Sequence, residues 1–322
     1  MVSVLYATLR DRTGGKSLEE FYGGARDRLR TGVCAMAFTP IPGLQGIADS
    51  FSFYIPNQWE RIEAISEFSE QQFWDEIAAG RVRDGGNVVV YVHGYNISFE
   101  KSCRNAALFQ RALGLQDRLV LFSWPADGNV LNYTLDEADL EWSVGPLEYG
   151  LKELVERLGP GQVDVVAHSL GARGVVRALS RIGCGGVSGP LLDELVLMAP
   201  DIDTAIFQQE LPTLRPLAKR ITLYASENDR ALWLSHEVHG YPRLGEAGEQ
   251  LTLMEGVETI DVSAVGLQRI SGHLYHLFNP AVTADLERLL HTGNPAGERS
   301  GLEAAQLEGK PYWRMLPADA KE

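Results

Sequence analysis

Val163-Asp-Val-Val-Ala-His-Ser-Leu-Gly-Ala172 is the stretch that decides the fold. An apolar run suited to a strand buried on both faces leads directly into a small-His-Ser-Leu-Gly turn. Beyond the turn, Ala172, Val175, Val176, Leu179 and Ile182 recur at helical spacing. A strand, a tight turn and an immediate helix place Ser169 on a sharp bend at the strand end, with its hydroxyl presented outward. Ala167 and Gly171, two residues to either side, are small enough for strand and helix to approach closely. Such turns usually carry glycine at the first of these positions, so Ala167 is a mild departure. The helix start also favours developing negative charge. A plain helix cap would account for the serine, but not for His168 or the small flanks. Ser169 is therefore the candidate nucleophile. The His168 side chain leaves the turn in another direction and is not expected to be its base.

Outward from this segment the pattern repeats. Val88–Val92, Leu119–Ser123, Leu191–Met198, Ile221–Ala225 and Val257–Val262 read as further strands. Helices are expected around Ser69–Ala79, Phe99–Leu113 and Asp136–Leu158, with a last one marked by Val282, Leu286, Leu289 and Leu290. Alternating strands and helices imply an α/β fold, a mainly parallel central sheet with helices on both faces. Before this core, Val2–Thr8 reads as a strand. Residues 10–32 read as a loop with a short helix, and Cys34–Ile55 as strand, turn and strand. The reading is of one domain over residues 1–291, with N-terminal strands and a helix in 1–87 and the catalytic core in 88–291. Residues 292–322 read as a loosely packed C-terminal extension in which Tyr312 and Trp313 could dock.

The chain has 322 residues, 45% hydrophobic and 22% charged, ordinary globular composition. Its net charge of −14, from 43 acidic and 29 basic residues, repels phosphate backbones and argues against a nucleic-acid partner. Cys34, Cys103 and Cys184 lack metal-ligand spacing, and an odd, scattered set suggests reduced thiols and a cytoplasmic location. The N-terminus reads as a strand and not a signal peptide. No apolar run approaches the ~20 residues of a membrane-spanning helix, so no integral membrane segment is expected.

Val92-His-Gly-Tyr-Asn96 follows the strand that begins at Val88. In the α/β-hydrolase fold, to which the nucleophile turn points, the loop after this strand supplies one backbone N–H to an oxyanion hole. The residue after the nucleophile supplies the other. Those donors would be Tyr95 and Leu170. The triad acid and base follow the serine in chain order. Asp229, after the strand Ile221–Ala225, is favoured as acid over Asp201, Asp203 and the weaker Glu227. Asp203 and Asp201 suit capping of the next helix. His273, after Gly272, is favoured as base, with His276 expected to pack against the final helix. His236 and His239 read as lid or pocket-rim residues. Trp124, at the end of its strand, is a candidate wall of an apolar acyl pocket, with core packing the rival reading.

Taken together, Val92-His-Gly-Tyr-Asn96, Phe122-Ser-Trp-Pro125, Ala167-His-Ser-Leu-Gly171, Ala199-Pro-Asp-Ile-Asp203, Tyr224-Ala-Ser with Asp229-Arg-Ala-Leu232, and Gly272-His273 resemble the bacterial α/β hydrolases of unknown function. The opening Tyr6-Ala-Thr-x-Arg10 is also similar, and more distantly the set resembles lipases and esterases. The resemblance implies Ser169, Asp229 and His273 as the triad and implies little about substrate. The residues themselves read as a serine hydrolase that cleaves an acyl ester, a mechanism that needs no metal or organic cofactor. An acyltransferase or a peptidase would use the same residues, and a non-catalytic binding protein could use the same fold.

Overall fold

The computed structural model describes residues 1–41, 58–115, 117–128, 132–186, 189–265 and 272–317. Its strands are β1 (Val2–Arg12), β2 (Tyr22–Pro40), β3 (Gln58–Phe68), β4 (Val88–Val92), β5 (Leu119–Ser123), β6 (Val163–His168), β7 (Leu192–Met198), β8 (Ala218–Ala225), β9 (Glu258–Asp261), β10 (Leu302–Leu307) and β11 (Lys310–Met315). They form one sheet in the order β10-β11-β9-β8-β7-β6-β4-β5-β1-β2-β3. Pairing is parallel from β11 through β9, β8, β7, β6, β4 and β5 to β1, and antiparallel in β1-β2-β3 and β10-β11.

The helices are α1 (Glu70–Asp84), α2 (Phe99–Ala112), α3 (Tyr133–Leu158), α4 (Leu170–Cys184), α5 (Thr204–Leu214), α6 (Arg230–His239), α7 (Tyr275–Phe278) and α8 (Pro280–Thr292). The strand β4 shows how two cores arise from one sequence. Its side chains alternate between faces: Val88, Val90 and Val92 join a core with α1, α3 and α4, while Val89 and Tyr91 join another with α2 and α8. Both faces are covered, so the central strands are mainly apolar, with Asp164 and Glu194 among the buried exceptions.

The structure corrects three expectations. Residues 10–32 hold no helix; β1 and β2 form a long antiparallel ladder, with Thr8 opposite Arg30 and Arg10 opposite Arg26. Its many arginines and glycines hid the strand, because an antiparallel strand open to water on one face accepts charges there. The second strand expected within Cys34–Ile55 falls largely on residues 42–57, outside the described residues. The part of the tail described, through residue 317, is not loose, since β11 adds to β9 with Trp313 opposite Ile260. Tyr312 is buried, and Arg299 is buried against Asp285 at 3.3 Å. Finally, Cys34 of β2 and Cys103 of α2 are joined as a disulfide, where reduced thiols were expected; Cys184 is free and exposed. That pairing removes the thiol argument for the cytoplasm. Among the described residues, no helix is long and apolar enough to cross a membrane.

Candidate active site

The turn after β6 is strained where the sequence demands it. Ser169 has φ 54° and ψ −125°, a conformation costly for a residue with a Cβ. The turn holds it there: Ser169 N donates to Met198 O at 2.9 Å, and its carbonyl accepts from Ala172 N at 3.1 Å and Asp201 N at 3.2 Å. The loop after β4 lies hard against this turn. A Cβ on Gly171 would collide with the carbonyl oxygen of His93, and one on Gly94 would come within 2.9 Å of both the Ser169 Cβ and His168 Nδ1. Two glycines thus bring the Tyr95 loop beside the first turn of α4, where Leu170 begins the helix.

That loop is clamped from behind. Asn96, at φ 57°, donates its N–H to Asp136 Oδ2 at 2.8 Å, and Asp136 Oδ1 accepts from Asp127 N at 2.8 Å. Buried Asp136 therefore ties the loop after β4 to the loop after β5. Arg10 does the same from β1, donating to Ile97 O at 2.6 Å, Ala126 O at 2.8 Å and Ser123 Oγ at 3.0 Å. Burial pulls the Arg10 pKa down to about 9, partly offset by the charge of Asp136. The Trp124 indole is wholly buried, stacked 5.2 Å from the His93 ring, and donates to His93 O at 2.8 Å. Core packing is the reading that holds for Trp124: it offers no surface to a substrate and instead fixes the loop. The Tyr95 ring stands edge-on to Tyr133, 5.2 Å away.

His273 and Asp229 are brought together as the sequence suggests. His273 Nδ1–H donates to Asp229 Oδ2 at 2.7 Å, both side chains being buried. The other carboxylate oxygen caps α6, accepting from Ala231 N and Leu232 N, each at 3.1 Å. Burial works against a charged His273, but the Asp229 charge and hydrogen bond outweigh it and hold its pKa above the ordinary histidine value. His168 Nε2–H donates to the His273 carbonyl at 3.0 Å, and the two rings lie 4.6 Å apart. The residue next to the serine thus anchors the base-bearing loop to the turn. His276 is wholly buried. Its Nε2 shares a 3.1 Å hydrogen bond with Tyr91 OH, and its ring meets His168 and Phe109 of α2. Burial lowers its pKa to about 3.

The remaining acids have other work. Asp203 caps α5 through Ala205 N and Ile206 N, and Glu227 is exposed. Asp201 is buried and ion-paired to Arg243 at 2.7 Å, accepts from Ser235 Oγ at 2.7 Å and from Tyr133 OH at 2.5 Å. Desolvation raises its pKa, but Arg243 and Arg173 prevail and the net shift is downward. His239 meets Tyr133 at 5.5 Å and bonds Glu137 at 3.1 Å, while His236 pairs with Glu246. Arg10 and Asp136 were missed as site-building residues. An arginine directly after the mainly apolar run Val4–Leu9 in the first strand was the available signal for one; Asp136 gave none.

A serine on a positive-φ turn against a glycine-tight loop, with a buried His–Asp pair on a loop anchored through His168, stands on a mainly parallel sheet of the α/β-hydrolase class. The chain belongs to the family described as alpha/beta hydrolase of unknown function (DUF900), whose profile matches residues 69–291. No curated protein matches the chain. Among solved structures it is similar to an esterase from Pyrobaculum calidifontis, with 14% identity, TM-score 0.37, and coverage of 80% of this chain and 85% of that one. It is also similar to the phospholipase PlaB from Legionella pneumophila in complex with thio-NAD, with 10% identity, TM-score 0.35, and coverage of 71% and 67%. A thermophilic carboxylesterase from a metagenomic library, EstE1, matches at 12% identity and TM-score 0.31, over 80% and 85%. At these levels the likenesses carry nothing about substrate.

Proposed function

We propose that the chain is a serine hydrolase that cleaves a small acyl ester through Ser169, His273 and Asp229. His273 Nε2 takes the proton of Ser169 Oγ as the oxygen attacks the ester carbonyl. The tetrahedral oxyanion is received by the N–H groups of Tyr95 and Leu170. His273 then passes its proton to the departing alcohol, leaving an acyl-Ser169, and water repeats the sequence to release the acid. Asp229 holds His273 in the tautomer with its proton on Nδ1 and stabilises the imidazolium. The observation that carries this reading is the 2.7 Å His273–Asp229 pair, on a loop anchored to the serine turn through His168.

The test is labelling with a fluorophosphonate probe, wild type against Ser169→Ala, followed by a panel of p-nitrophenyl esters. Labelling that is present in wild type and absent in Ser169→Ala supports the reading. Equal labelling of both, or none of either, removes it.

A further inference from the structure

The helix α6 turns Leu232 and Ser235 inward, where both are buried. Its other face is open to water. Arg230, Trp233, Leu234, Glu237 and Val238 are exposed there, at the i, i+3, i+4, i+7, i+8 spacing of a single helix stripe. Tyr241, also exposed, follows the Gly240 that ends the helix. Trp233, Leu234, Val238 and Tyr241 are between 54% and 65% exposed. At roughly 150–250 Å² for an aromatic side chain, and less for Leu and Val, that leaves about 500 Å² of apolar surface bare. A patch of this size is at the upper end of what monomers expose, and such patches mark interaction sites.

Area and charge both select a second copy of this chain as the occupant. A standard interface takes about 800 Å² from each partner and is about 56–65% apolar, so its apolar share is about 500 Å². This face supplies that amount, with Trp and Tyr, the side chains that anchor such contacts. The charges then fix how two copies meet. Arg230 and Glu237 stand three residues to either side of the Trp233–Leu234 pair. When two α6 helices lie antiparallel about a two-fold axis between residues 233 and 234, Arg230 stands level with the partner's Glu237, and Trp233 with the partner's Leu234. Both contacts occur twice, so the stripe is complementary to itself, as a two-fold contact requires. Parallel pairing would set arginine against arginine and glutamate against glutamate. A lipid surface would be indifferent to this placement.

We propose that this face of α6 joins two copies of the chain as an antiparallel helix pair. The apolar side chains supply the attraction, and the Arg230–Glu237 pairs fix the direction. The pairing goes beyond the hydrolase reading and does not depend on it. Interfaces of this area bind from the micromolar to the picomolar range, so sedimentation velocity of the full chain at micromolar concentrations tests it. The wild type is expected to sediment as a dimer, and Leu234→Asp as a monomer. Arg230→Glu and Glu237→Arg should each weaken the dimer at least about tenfold, since each sets like charges together twice. Neither puts the fold at stake, because an acid suits the start of a helix and a base its end; thermal melting checks all three variants. An equimolar mixture of the Arg230→Glu and Glu237→Arg chains should recover wild-type association, because both cross pairs are then opposite in sign. A wild type that stays monomeric, a dimer that survives Leu234→Asp, or a mixture that associates no better than its separate chains overturns the proposal. A monomer that sediments with phosphatidylcholine vesicles, and ceases to do so in Leu234→Asp, assigns the face to a lipid surface and overturns it too.

Discussion

Asp229 has two tasks that a single substitution separates. One oxygen caps α6 through Ala231 N and Leu232 N at 3.1 Å, and the other accepts the His273 Nδ1 proton at 2.7 Å. In Asp229→Asn only one oxygen remains. If the amide NH2 turned towards the helix, it would oppose two N–H donors and lose a cap worth ~1 kcal/mol. If the oxygen stays on the cap, the NH2 faces His273 Nδ1, and the imidazole needs only to move its proton to Nε2. The second arrangement costs less, so the cap survives and the tautomer changes. With its proton on Nε2, His273 cannot accept from Ser169. Stability should fall by only about 1 kcal/mol, from loss of the favourable charge at the helix start. The rate should fall by about 10⁴-fold, the loss seen when a serine-triad aspartate becomes asparagine. Steady-state kcat/KM on a p-nitrophenyl ester and a thermal melt measure both. Asp229→Ala serves as the contrast, since it loses the cap as well and should melt lower than Asp229→Asn. If Asp229→Asn keeps its rate within tenfold of wild type, Asp229 does not orient the base and the reasoning fails.

Ser169→Ala should abolish ester hydrolysis while its melting temperature stays near that of wild type, since alanine meets the same positive φ; retained turnover would remove the nucleophile. The acid limb of kcat/KM should lie above the ordinary histidine value of ~6.5, because the base must be neutral to work and Asp229 raises the pKa of His273; a limb below that value refutes the pairing in solution. The stability linked to His273 has the matching sign: it is present below the unfolded pKa and lost as pH rises through the raised folded one. Asp201→Asn should cost far less rate than Asp229→Asn but ~3–5 kcal/mol of stability, because Arg243 is left buried without its partner; urea unfolding and kcat/KM decide the ranking. Asp136→Ala removes the acceptor shared by the part-buried N–H groups of Asn96 and Asp127, at about 1 kcal/mol each. It should lower kcat more than it raises KM, a split that steady-state kinetics resolves.

The central strands were legible because burial on both faces leaves mostly apolar residues, and a nearly continuous apolar run is hard to misplace. Val88–Val92 and Leu119–Ser123 stand where the sequence put them. The flanking hairpins were not legible for the converse reason. In β2 the exposed face carries Arg26 and Arg28, and local composition then resembles a loop. The terminal hairpin is held by contacts remote in sequence: Arg299 donates to Tyr224 OH at 3.3 Å and Tyr224 OH to Asp285 Oδ2 at 2.6 Å. No local pattern announces a contact between residues 224 and 299. The Cys34–Cys103 pair was missed likewise, since it depends on α2 crossing β2.

The site shows the same division between local and distant causes. Ser169, Gly171 and Gly94 were readable because a strained turn and a close backbone approach restrict which residues can stand there. The pairing of Asp229 with His273 was readable because chain order limits which strand ends can bear such a pair. What the sequence concealed is the frame that keeps the Tyr95 loop in place. Arg10, Asp136 and Trp124 hold that loop through backbone carbonyls and N–H groups. Backbone acceptors have no residue identity to recognise. A buried arginine that bonds three loops through such groups therefore looks, in the sequence, like an interruption of a strand. Its position is nonetheless demanding: Arg10 sits 1% exposed, and a charge buried so deeply persists only where its hydrogen bonds are met. The groups that meet them are the carbonyls of Gly23, Ile97 and Ala126 and the Ser123 hydroxyl, so the same residue that looks misplaced in β1 is what fixes the loops flanking the candidate oxyanion hole.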